Sequence, residues 1–230
     1  MTNNQTMKPQ KKDKASTIKT DDVVVVIGHR GSGKSWLGKK LAQKFPRLIV
    51  WNFMLEDMPL GYPVETPKAL IEAIKKKVTH IVYNPLHKNE AEFEQVNKII
   101  FSIGYNYAYY VEETDFFARS KYIPFWFNEI LNRGRHHGIA LLCVARRIFN
   151  LNPSVHFNAN HIFVFNTTDG RDLTYLRNID ARLEEAKNLP KYHYLWWQRG
   201  ERVIKCKPVD ITRVQGKRRR RRIKDDRSDD

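Results

Sequence analysis

The residues best equipped for chemistry lie together in Val23-Val24-Val25-Val26-Ile27-Gly28-His29-Arg30-Gly31-Ser32-Gly33-Lys34-Ser35, where five branched apolar side chains run into a G-x-x-x-x-G-K-S pattern. That spacing suits capture of a polyphosphate. Gly28, Gly31 and Gly33 allow backbone angles that turn successive N–H groups toward an anion, with His29, Arg30 and Ser32 completing the loop. Lys34 is expected to reach the β- and γ-phosphates and Ser35 to offer its hydroxyl to Mg²⁺. The helix opening there aims its positive end at the same charge. A glycine-rich turn that binds nothing is the alternative. Against it, Leu37, Leu41 and Phe45 follow at i, i+4 and i+8, as an amphipathic helix requires.

A second constellation lies at Tyr107-Ala108-Tyr109-Tyr110-Val111-Glu112-Glu113, an apolar strand ending in two acids. In phosphate-loop enzymes, an acid at such a strand end orders the shell of the metal, and its neighbour polarises the attacking water. Glu112 is therefore assigned to the metal and Glu113 to the water, with Asp115 a second candidate for either role. Two glutamates closing a strand in solvent is the competing reading. Arginines near such a sheet are candidates for stabilising charge on a transferring phosphoryl group. His136 and His137 are adjacent rather than i, i+4, which argues against a helical metal-ligand pair.

The positioning elements follow from apolar pattern and turn chemistry. Five consecutive branched residues imply a strand covered on both faces. Arg47–Phe53 reads as a second strand, and a Pro/Gly-marked connection (Pro59, Gly61, Pro63) leads to Thr66 as N-cap with Pro67 at the first helical position, for a helix through Ile74. Residues 79–84 form a third strand. Asn89 and Glu92 read as a capping box for a helix with Phe93, Val96, Ile100 and Ile103 on one face. After the acid-tipped fourth strand come a helix from Ile123 to Arg133, a fifth strand over Ile139–Val144, and a sixth over His161–Phe165. Helices capped by Asp169 and starting after Asp180 precede a hairpin turning at Gln198-Arg199-Gly200-Glu201. Alternating strands and helices predict an α/β domain with a mostly parallel central sheet, helices on both faces, and a C-terminal β-hairpin.

The formal charge is +16 over 230 residues. Residues 1–22 contribute +2 and residues 217–230 contribute +4, which leaves +10 on the body. A body that basic suggests a polyanionic partner, most simply nucleic acid, with an anionic membrane surface or plain solubility as alternatives. We expect residues 1–20 to be a flexible basic arm, 21–210 the catalytic domain, and 211–230 a disordered tail. Its Arg218, Arg219, Arg220, Arg221 and Arg222 are suited to phosphates or to serve as a localisation signal. Cys143 and Cys206 read as small buried hydrophobes in a reducing compartment. No apolar run approaches the roughly 20 residues of a membrane span, and no signal-peptide core is present.

On these residues the chain resembles the FtsK/HerA superfamily of P-loop ATPases. Within it, the chain is similar to the genome-packaging ATPases of icosahedral viruses with an internal membrane, including those of turreted archaeal viruses. The likeness spans roughly residues 22–207. It is narrowed by Arg135-His136-His137-Gly138 before the fifth strand and by Leu189-Pro190-Lys191-Tyr192-His193-Tyr194 near the end. The resemblance implies a RecA-like (ASCE) sheet, ATP and Mg²⁺ as cofactors, a ring-shaped homo-oligomer and double-stranded DNA as partner. It further implies contact with a capsid vertex or viral membrane protein, and a location in host cytoplasm and the virion. It also makes Arg135 the finger reaching a neighbour's γ-phosphate, with Arg133 in reserve and Arg147 a further possibility. Two departures stand out. Glu112-Glu113 replaces the family's usual Asp-Glu, and Arg146 occupies the position of a polar sensor, often Gln.

Three functions compete: a DNA-packaging motor, a small-molecule phosphotransferase, and a nucleotide-gated assembly factor that does not hydrolyse. The paired acids and the basic body favour the motor.

Overall fold

The computed structural model describes residues 18–56 and 60–208. The arm up to residue 17, the tail from 209 with its arginine run, and Pro59 lie outside the described residues.

Among the described residues nine strands form one sheet: β1 (Val23–Ile27), β2 (Leu48–Trp51), β3 (Tyr62–Val64), β4 (His80–Tyr83), β5 (Ala108–Val111), β6 (Ala140–Ala145), β7 (His161–Phe165), β8 (Tyr194–Gln198) and β9 (Val203–Cys206). Their order is β3-β4-β2-β5-β6-β1-β7-β8-β9, parallel through β7 and antiparallel over the final hairpin. This is the expected mostly parallel α/β sheet with its C-terminal hairpin. β6 separates β1 from β5, so the acid-tipped strand is one place removed from the phosphate-loop strand rather than its direct neighbour. The connection marked by Pro59, Gly61 and Pro63 hides a strand, β3. Pro63 can lie within it because β3 is the edge of the sheet, where a missing N–H costs no ladder bond.

The buried strands alternate sides. Val23, Val25 and Ile27 point into one apolar cluster and Val24 and Val26 into the other, so each face of β1 is dry. The faces are covered unequally. Helices α2 (Pro67–Lys75), α3 (Glu90–Ile103), α4 (Thr114–Phe117), α5 (Phe125–Arg133), α6 (Pro153–Asn158) and α7 (Gly170–Ile179) contribute to the first cluster. Helix α1 (Lys34–Ala42) is the helix that supplies the second. Leu37, Leu41 and Phe45 are all buried there.

The caps behave largely as expected. The Thr66 hydroxyl accepts from the Ala69 N–H at 3.2 Å and Asn89 accepts from the Glu92 N–H at 2.9 Å. Glu92 does not close the capping box, however. Its carboxylate accepts from Tyr83 Oη (2.9 Å) and from the N–H groups of Leu86 (3.0 Å), His87 (2.8 Å) and Lys88 (3.0 Å), stitching β4 to α3 instead. Two short helices, α4 and α6, were not evident in the sequence. Their four and six residues are too few to show a periodic face. Cys206 is only half-buried, because β9 is the other edge of the sheet.

Helix α1 crosses the sheet closely at Gly38, where a Cβ would lie 2.9 Å from both Tyr110 Cε2 and Val144 Cγ2. Gly38→Ala should therefore overpack a filled site at ~1–3 kcal/mol, offset by roughly 1 kcal/mol of helix propensity. We expect a net loss of order 1 kcal/mol in denaturant unfolding. A variant at least as stable as the parent would show that the contact yields.

Candidate active site

Because β1, β6 and β5 run parallel, Ile27 pairs with Ala145 and Val111 with Cys143, so all three strands deliver their following residues to the same end of the sheet. The Gly28 N–H donates to the Ala145 carbonyl at 3.2 Å, extending that register into the loop. Gly33, at φ 102°, takes a left-handed conformation that other residues rarely adopt, and α1 starts at the next residue. The result is a cleft of about 340 Å³ lined by Arg30, Lys34, Ser35, Glu56, Glu112, Glu113 and Arg146 among others. The phosphate loop and the acid pair, 77 residues apart between Ser35 and Glu112, thus share one cleft.

Lys34 and the acids of the cleft are constrained. Lys34 is buried, and loss of water pushes its ammonium below the usual lysine range, with Glu113 opposing the shift. The Ser32 Oγ is buried with no partner. Glu112 is 3% exposed, and burial raises its carboxyl to about 7, opposed chiefly by Lys39. One of its oxygens accepts from Tyr110 Oη at 3.2 Å and lies 3.8 Å from Lys39 Nζ, while the other has no partner. Glu113 sits at φ 51° and forms a two-point pair with Arg146, Nε to Oε2 at 2.7 Å and Nη2 to Oε1 at 3.1 Å. Asp115 accepts from the Arg146 N–H at 3.3 Å and so fixes the end of β6. Phe117 on α4 secures the turn carrying these acids. It stacks on Phe93 at 4.1 Å and meets Trp51 edge-on at 5.6 Å, deep in the core.

One residue escaped sequence reasoning. Glu56 reaches the cleft from the loop after β2, held by Asn52, whose Oδ1 accepts the Glu56 N–H at 3.2 Å and whose Nδ2 donates to the Glu56 carbonyl at 3.0 Å. Lys39 binds it at 2.5 Å. Only the adjacency of β2 to β5 brings it there, and no local pattern encodes that adjacency.

The remaining candidates separate. Arg135 is exposed on a 3-10 helix (Gly134–His137) ahead of β6, at the opposite end of the sheet from the cleft of its own chain. Arg133 pairs with Glu129 at 2.8 Å. Arg147 pairs with Asp169 and, at 3.2 Å, with Asp172, tying β6 to α7. His137 stacks against Phe101 and Tyr105, and its Nδ1 lies 2.8 Å from the Phe101 carbonyl oxygen. His29 and Arg30 are exposed on the loop. Of the aromatics around the acid turn, Phe117 and Phe127 are core, while Phe116 and Phe125 are exposed.

No family model matches the chain, and no curated protein does. Solved structures do. The genome packaging NTPase B204 of Sulfolobus turreted icosahedral virus 2, in complex with ATPγS, aligns with TM-score 0.71 and 26% identity over 84% of this chain and 100% of that one. Its sulfate complex gives 0.71 and 25% over 84% and 98%. The chain has the P-loop NTPase fold of a viral genome-packaging NTPase. The conjugation coupling protein TcpA of pCW3, with TM-score 0.52 and 12% identity over 81% of this chain and 60% of that one, shares the fold alone.

The buried Glu112 makes a pH-dependent cost. Its carboxyl keeps its proton to about 7 in the folded chain and releases it near 4.5 when unfolded. Between those values the folded state binds more protons, so this group's contribution to stability falls as pH rises. Glu112→Gln should stabilise the nucleotide-free protein in denaturant unfolding by an increment that grows from pH 5 to pH 8, up to about 3 kcal/mol. An increment independent of pH would show that the carboxylate is not penalised.

Proposed function

We propose that the chain is an ATP-driven double-stranded DNA translocase that loads a viral genome into a capsid. The observation that carries this reading is the convergence of Lys34, Ser35, Glu112, Glu113 and Arg146 on one cleft, in a fold shared with a packaging NTPase that was solved with ATPγS and with AMPPCP.

In this reading the phosphate-loop amides and the desolvated Lys34 bind the β- and γ-phosphates of ATP. Glu113 orients the attacking water and accepts its proton, and Arg146 meets charge developing on the γ-phosphate. The residues fit Mg²⁺ as well, because a buried glutamate oxygen with no partner, on the cleft that Ser35 lines, is the donor a hard cation takes. Ser35 and, through water, Glu112 would hold the ion, which when bound neutralises phosphate charge. Arg135 lies too far from its own cleft to serve it, so the finger role belongs to a neighbouring copy in a ring. The +16 charge, including Arg218 to Arg222, fits duplex DNA as cargo. A capsid vertex or viral membrane protein completes the partners, in host cytoplasm and the virion. Among the described residues no helix is long and apolar enough to cross a membrane.

ATP hydrolysis measured with and without duplex DNA, together with the mass of the assembly, tests this directly. We expect turnover to rise several-fold with DNA, Lys34→Ala to lose nucleotide binding, and Glu113→Gln to bind ATP while turning over ~10²–10⁴ times more slowly. Full hydrolysis by the second variant would move the base to Glu112, Asp115 or Glu56.

Mixing supplies a second test. Arg135→Ala subunits combined with Lys34→Ala subunits should recover part of the activity that each lacks alone, since intact fingers then face intact loops. Absence of rescue counts against a finger acting between copies.

A further inference from the structure

The Tyr192-His193-Tyr194 stretch contributes nothing to the phosphate chemistry above, yet it is built in an unusual way. The His193 N–H donates to the Pro190 carbonyl at 3.1 Å, closing a four-residue turn with Tyr192 in its third position at φ 65°. In a type II turn that position goes to glycine or asparagine, and a bulky aromatic there is strained. The turn is anchored to the sheet. Asn166, directly after β7, donates its Nδ2 to the Leu189 carbonyl at 2.8 Å, just ahead of the turn. The ring is carried to the phosphate loop, where a Cβ on Gly33 would lie 3.5 Å from Tyr192 Cδ1 and 3.3 Å from Phe165 Cε1.

The polarity of the cleft says what such a ring meets. The acids and Arg146 stand on the β5/β6 side of the loop, and Tyr192 and Phe165 stand on the β7/β8 side. A triphosphate whose γ end faces Glu113 across Lys34 therefore runs its α end, and the nucleoside beyond it, toward the β7/β8 side. We propose that Tyr192 is a base-stacking residue that selects nucleoside triphosphates over bare polyphosphate, an inference that rests on the ATPase reading. The Lys191 ammonium lies 4.9 Å from the centre of the ring, and because Lys191 is exposed it can move aside and leave that face to a purine. The strained turn is retained because the side chain, not the turn, is needed there.

The experiment compares wild type, Tyr192→Gly, Tyr192→Phe and Lys34→Ala for binding of ATP and of inorganic tripolyphosphate by calorimetry, with melting temperature recorded for each. Glycine suits the turn, so Tyr192→Gly should be at least as stable as wild type. It should bind ATP about 5- to 100-fold more weakly, the range that loss of one base stack gives, with tripolyphosphate affinity unchanged. Tyr192→Phe should bind both ligands as wild type does, and Lys34→Ala should lose both. Equal weakening of both ligands in Tyr192→Gly, or no weakening of ATP, overturns the proposal while leaving the ATPase reading intact. Wild type binding neither ligand overturns both.

Discussion

The structure depends on three parallel strands, β1, β6 and β5, sharing a register that neither face allows to slip. Each is buried on both sides, so displacement by one residue would exchange the contents of two apolar clusters. Because the three strands point the same way, with β5 ending two residues short of β1 along β6, the glycine-rich loop, the pair of acids and an arginine come to one end of the sheet. The site is thus a by-product of hydrophobic registry, and its chemistry is as rigid as the core beneath it.

Within the cleft the charges oppose one another. Lys34 and Glu112 are both disfavoured in their charged forms by burial, and partnerless atoms of Ser32 and Glu112 lie beneath the surface. Lys39 spans Glu56 and Glu112, and Arg146 occupies Glu113 at two points. Such a site holds unfavourable electrostatics of the kind that a bound ligand of complementary charge would relieve.

Much of this was legible in the sequence, for physical reasons. The strand run, the glycine spacing and the caps at Thr66, Asn89 and Asp169 are local signals, and each governs its local structure. What escaped was non-local or short. β3 was masked by Pro63, whose edge position only the whole sheet explains, and Glu56 enters the cleft through strand order. Glu92 was misassigned because the loop before α3 competes for its carboxylate with three N–H groups, and a spacing rule cannot weigh that competition. Arg147 resembled its neighbour Arg146 in sequence, yet in the segment that leaves β6 after Ala145 it pairs with Asp172 of α7 while Arg146 pairs with Glu113.

The unequal covering of the sheet has a thermodynamic consequence. Among the helices, α1 is the one that covers the second apolar layer, and its N-cap is a glycine offering no side-chain acceptor and its first turn holds no acid. An anion seated in the loop would supply the cap that α1 lacks, so filling the cleft would also fasten the helix over the smaller of the two apolar clusters. Occupancy and melting would then be linked through a single short helix.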